Sequence, residues 1–137
     1  MRLWHTSLIE ALPREQLIAA WRELSAIAGA IQKNGTPNHV LVNFVLNYDY
    51  DNFISYAYYI HEEMTRRGYR TMDSVWNKIV ALKPDWKLLS LDEVYKSKMN
   101  DFYLTVCYYN LYEKYDCGMF DDFSKIEKIY RSIIYNE

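Results

Sequence analysis

A chain of 137 residues, half of them hydrophobic, is the size of one domain and can bury about two-thirds of its unfolded surface in one core. Its two cysteines, Cys107 and Cys117, are too few for a disulfide scaffold. They lie outside any CxxC or Cys/His cluster, so reduced thiols and no metal site are expected. A formal net charge of −2 excludes a strongly basic nucleic-acid-coating protein and leaves room only for a local, salt-sensitive contact with phosphates.

The first dozen residues read as an extended arm. Pro13 then suits the first helical position and Glu15 the first turn, where a missing N–H and a negative charge are both favourable. Leu17, Trp21, Leu24, Ala28 and Ile31 follow at spacings of four, three, four and three, which is one helical stripe, and Asn34-Gly35 supplies its left-handed stop. Thr36-Pro37-Asn38 is a turn. Residues 39–50, rich in Val, Leu, Asn and Tyr, are the one stretch whose type stays open, helix or strand. A second helix is expected over 50–67, with Phe53, Ala57, Ile60 and Met64 on one side and Arg66-Arg67 before Gly68 at its end. A third covers 73–82 and stops before Pro84. Ser90-Leu91-Asp92-Glu93 has capping-box spacing and is read as the start of a long helix running to Tyr115. Cys117-Gly118 breaks it, and a last helix covers 120–135. The expected architecture is all-α, a single multi-helix domain over 1–137 with an N-terminal arm.

Aromatic residues make up 17% of the chain, and most are tyrosine. Tyr108, Tyr109, Tyr112 and Tyr115 recur at helical spacing, which favours packing along a helix seam over base stacking. Residues 1–6 carry no long apolar run of the kind a signal peptide needs. No stretch approaches the roughly 20 apolar residues that span a bilayer, so a cytoplasmic protein without membrane contact is expected.

The signatures of P-loop and dinucleotide binders, zinc proteases and serine hydrolases are missing. Glu23 is the first candidate for chemistry. At helical spacing its neighbours are Ala19, Ala20, Ala26 and Ile27, so a carboxylate stands among small apolar groups where a substrate can come close, and partial desolvation favours proton transfer. An ordinary helix-surface glutamate, paired with an arginine, is the simpler alternative. The second candidate is the α-amine of Met1. Arg2 is too large for removal of an initiator methionine, and α-amines titrate near 7.7–8, so a useful fraction is a free nucleophile at neutral pH. A short arm leading into the Glu23 helix permits the two groups to meet.

The run Leu17-Ile18-Ala19-Ala20-Trp21-Arg22-Glu23-Leu24, then Gly29-Ala30 and Lys33 before a glycine turn, resembles the pyrimidine-dimer DNA glycosylases (the phage endonuclease V-like enzymes). Met1-Arg2 is similar to that family's nucleophilic first residue followed by arginine. The resemblance is strongest over residues 1–35. It implies a small all-α DNA-repair enzyme with glycosylase and abasic-site lyase activity, whose N-terminal amine forms an imine with deoxyribose C1′ while Glu23 assists. It further implies Arg2 and Arg22 as phosphate contacts, His5 and Lys33 as additional DNA contacts, damaged double-stranded DNA as the partner, and no cofactor, metal or obligate protein partner. A non-catalytic helical module that binds nucleic acid or protein is the alternative; an enzyme on a related scaffold acting on another lesion or on RNA is a third.

Overall fold

The computed structural model describes residues 1–137 and contains five α-helices and no strand. They are α1 (Arg14–Asn34), α2 (Tyr50–Arg66), α3 (Asp73–Val80), α4 (Asp101–Asp116) and α5 (Ser124–Ile134), with short 3₁₀ helices at Thr6–Ala11 and Asn43–Asn47. The all-α expectation therefore stands. No helix is long and apolar enough to cross a membrane.

The α1 stripe behaves as its spacing requires. Leu17, Trp21, Leu24, Ala28 and Ile31 are all buried, each large side chain contributing about 1.5–3 kcal/mol of transfer free energy. Pro13 stands one position earlier than expected, at the N-cap, with its carbonyl accepting from the Leu17 N–H at 2.9 Å. Gly35 ends the helix at φ 76°, a conformation that strains any residue with a Cβ.

α1 packs on α2 and α3, while α4 packs on α5. The 3₁₀ helix Thr6–Ala11 touches both α2 and α5 and so joins the two halves. The first dozen residues are thus extended only at their start; Leu8, Ile9 and Leu12 turn inward as core residues, which an extended strand could not do together. One core results, drawing on Leu3 at one end of the chain and Tyr130 at the other. A chain of rings, Trp21, His61, Trp76 and Trp86, lines the seam of α1, α2 and α3 at centroid spacings of 5.6–5.8 Å.

Two segments differ from the sequence reading. Residues 39–49 are neither strand nor α-helix but a turn and a 3₁₀ helix, fixed by the Asn43 side chain accepting from the His39 N–H at 2.9 Å, and Tyr50 already opens α2. The long helix does not start at Ser90. The Ser90 hydroxyl donates to the side chains of Asp92 and Glu93, and Tyr95 takes φ 48°, so 91–100 forms irregular turns. The working N-cap is Asn100, whose Oδ1 accepts from the Tyr103 N–H at 2.9 Å. In the tyrosine-rich half, Tyr108 stacks on Tyr130 at 3.8 Å, and Tyr115 on Phe123 at 5.4 Å, so these rings form the α4–α5 seam. Tyr109 is exposed.

Candidate active-site cleft

Gln16, Ala19 and Glu23 fall on one side of α1 because three- and four-residue steps return to the same face. The start of the chain and one side of α4 lie opposite. Together Met1, Arg2, Trp4, Glu15, Gln16, Ala19, Arg22, Glu23, Leu41, Asn110, Lys114 and Met119 line an open cleft of about 430 Å³. Its basic side chains are Arg2, Arg22 and Lys114, beside Met1 at the chain start; its carboxylates are Glu15 and Glu23. A chain of net charge −2 therefore presents a locally positive cleft. Polyanions respond to that local field.

Met1 is exposed, Arg2 and Glu23 are half-buried, and Arg22 reaches into solvent. Gln16 is only 7% exposed, and its Oε1 has no hydrogen-bond partner in the protein. A buried carbonyl oxygen without a partner carries a desolvation cost, and it lies on a residue that borders the cleft. Ala19, between Gln16 and Glu23, keeps the floor low.

The arm reaches this cleft by docking its backbone. The buried Tyr56 hydroxyl on α2 donates to the Trp4 carbonyl at 2.7 Å, and Tyr103 on α4 donates to the Leu3 carbonyl. Burial pushes both phenols well above their ordinary pKa, so they remain donors. The Arg2 guanidinium lies 5.9 Å from the centre of the Tyr103 ring, and the Lys98 ammonium 4.4 Å from it.

Of the residues singled out from the sequence, Met1, Arg2, Arg22 and Glu23 meet in the cleft. His5 does not. It is 6% exposed, its Nδ1 accepts from the Ser7 N–H at 3.1 Å, and the backbone carbonyls of Met99 and Asn100 attract its ring. A side chain so enclosed caps the 3₁₀ helix and ties down the arm. Lys33 is exposed in the last turn of α1, eleven residues and about 16 Å along the axis from Arg22. Gln16, Asn110 and Lys114 were not singled out. Gln16 is signalled by its position two turns before Glu23; Asn110 and Lys114 carry no local signal, since only tertiary packing brings α4 here.

A larger groove, about 640 Å³, runs between the 3₁₀ helix Thr6–Ala11, α2 and α5. Glu63 within it is already committed to Arg66 and Arg67, and the hydroxyls of Thr6, Ser7, Tyr59 and Ser132 that line it have no histidine or lysine beside them in the lining to activate them. Size alone does not make it the reactive site.

A family model described as pyrimidine dimer DNA glycosylase matches residues 1–77. The chain belongs to this family. No curated protein and no solved structure matches the chain. The glycosylase match includes the arm, all of α1 and the α1 side of the cleft, and it ends inside α3. The α4 wall, with Asn110 and Lys114, lies outside it, as does Tyr103.

Proposed function

We propose that this glycosylase-family chain excises pyrimidine dimers or similar base damage from double-stranded DNA and then cleaves the abasic strand, with the Met1 amine as nucleophile. The observation that carries the reading is that Met1 and Glu23 line one locally positive cleft. In its neutral form the amine attacks C1′ of the damaged nucleotide. The C1′–N bond breaks, and the base leaves with the bonding pair and takes up a proton. O4′ then leaves C1′ as the sugar ring opens, accepting a proton passed by Glu23, and an iminium joins the Met1 nitrogen to C1′. The Glu23 carboxylate removes a proton from C2′. The freed electron pair expels the 3′ phosphate by β-elimination, which cuts the strand. Water hydrolyses the imine and restores the amine.

Arg2 and Arg22 hold phosphates, for which guanidinium forks are suited, and Lys114 adds a third positive contact from the opposite wall. Lys33 reaches the duplex further along α1. Access to C1′ requires a kinked duplex or an extruded nucleotide, and a damaged pair lowers that cost.

The test is covalent capture. With DNA containing one abasic site, borohydride is expected to trap a protein–DNA adduct at residue 1, located by peptide mass spectrometry. Blocking the N-terminal amine should abolish trapping, and Glu23→Gln should slow strand cleavage about 100-fold while changing affinity little. An adduct on an internal lysine, or none from protein with a verified free N-terminus, would falsify the nucleophile assignment. Cleavage of abasic DNA without any preference for irradiated over undamaged DNA would overturn the lesion class and leave the lyase chemistry intact.

A further inference from the structure

The arm is tied down through consecutive backbone groups just behind its first two residues. Tyr103 Oη binds the Leu3 carbonyl, and Tyr56 Oη binds the Trp4 carbonyl at 2.7 Å. The next residue is fixed as well: His5 is buried, and its Nδ1 accepts from the Ser7 N–H at 3.1 Å. The two tyrosines come from different helices, and the Arg2 guanidinium lies over the Tyr103 ring at 5.9 Å.

Burial alone does not call for these hydroxyls, since a phenylalanine ring would fill either position. Their specific effect is geometric. Peptide planarity makes each bound carbonyl fix the plane of its peptide unit. With the Leu3 carbonyl held, only a few soft torsions, φ and ψ of Leu3 and of Arg2 and ψ of Met1, separate the anchor from the amine.

Resting on the reading of Met1 as nucleophile, we propose that Tyr56 and Tyr103 are positioning residues whose hydroxyls clamp the Leu3 and Trp4 carbonyls and so hold the Met1 amine on the Glu23 side of the cleft. Neither touches substrate. The clamp raises the fraction of time the amine spends at attacking distance, an orientation effect that leaves its nucleophilicity unchanged. Tyr103 lies outside the residues matched to the family, so this chain's own C-terminal half sets the geometry of its first residue.

Tyr103→Phe and Tyr56→Phe each remove one hydroxyl and keep the ring. The expected result is a single-turnover trapping rate on abasic DNA lowered at least tenfold, with DNA affinity within twofold of the parent. A glycine added ahead of Met1 then supplies a coupling test, because it carries the amine one residue, about 3.8 Å, further out. In the parent that extension should cost about 100-fold in trapping rate. In Tyr103→Phe it should cost clearly less, because the unclamped arm can re-place the amine. Effects that multiply independently, or variants that lose only thermal stability while trapping at the parent rate, would overturn the clamp. Should Tyr103→Phe fail to fold, the same cycle with Tyr56→Phe decides. If the parent itself traps through another residue, the nucleophile reading fails; if the parent traps through Met1 and the variants match it, only the clamp fails.

Discussion

Lys114 lines the cleft from α4, and on the proposed reading it is a phosphate contact carried by a chain of net negative charge. It sits on the far wall of the cleft from Arg22, so a phosphate strand lying in the cleft meets positive charge from both sides. Each neutralised phosphate contributes about 0.9 to the slope of log affinity against log salt. Lys114→Ala should therefore reduce the steepness of that salt dependence by about one and weaken abasic and undamaged DNA alike; a titration series from low to physiological salt reads both. Glu63 acts differently, as a structural carboxylate. It accepts from Arg66 and from Arg67 Nε, and Arg67 in turn donates to the Leu12 carbonyl at 2.7 Å and the Glu10 carbonyl at 3.1 Å. Burial raises the Glu63 carboxyl, but hydrogen bonds from the two arginines outweigh it and hold the group below its usual range. Glu63→Gln should lower stability by about 2 kcal/mol at neutral pH. Because the folded value is depressed, this contribution is complete above the ordinary carboxyl pKa of about 4.3 and disappears as pH falls below it. Denaturant melts of the parent and the variant should accordingly converge in acid.

At the scale of elements, the sequence predicts helices well where local signals and tertiary packing agree, and poorly where they conflict. α1 has an acidic first turn, an unbroken apolar stripe and a glycine stop, and each matches what the core asks of it. The helix expected from Ser90 conflicts with its surroundings. Tyr95 is fully buried, and its N–H is held by the Asn52 side chain at 2.8 Å, an anchor that bends the backbone to positive φ and ends any helix begun upstream. No local pattern announces a partner 43 residues away. The site divides similarly. Glu23, Arg22 and the arm are written within one short stretch, whereas Asn110 and Lys114 become neighbours only after α4 docks. Asn100, the cap that replaces Ser90, binds the N–H of Tyr103 itself. Asn100→Ala should cost about 1 kcal/mol in thermal or denaturant unfolding, the usual penalty for a lost N-cap.

Across the whole molecule, the arm links both halves, and His5 is the titratable group buried within it. Burial lowers the pKa of His5, and attraction to the Met99 and Asn100 carbonyls and to Asp101 offsets this only in part. For a base whose folded value lies below the unfolded one, the stabilisation is complete above the unfolded pKa of about 6.5 and is lost as pH falls through the folded value. Stability measured from pH 7 down to pH 5 should fall more steeply in the parent than in His5→Gln, which has no proton to gain. An exposed histidine would give no such difference.

The bond from Tyr103 to the Leu3 carbonyl closes a loop of 100 residues. Synthesis runs from the N-terminus, so Met1, Arg22 and Glu23 leave the ribosome long before α4 exists. Until Tyr103, Asn110 and Lys114 emerge, the nascent chain carries the amine and the carboxylate without the wall that completes their cleft. Completion of the cleft is thereby postponed until most of the polypeptide has been made, and on the proposed reading so is the pairing of amine and carboxylate.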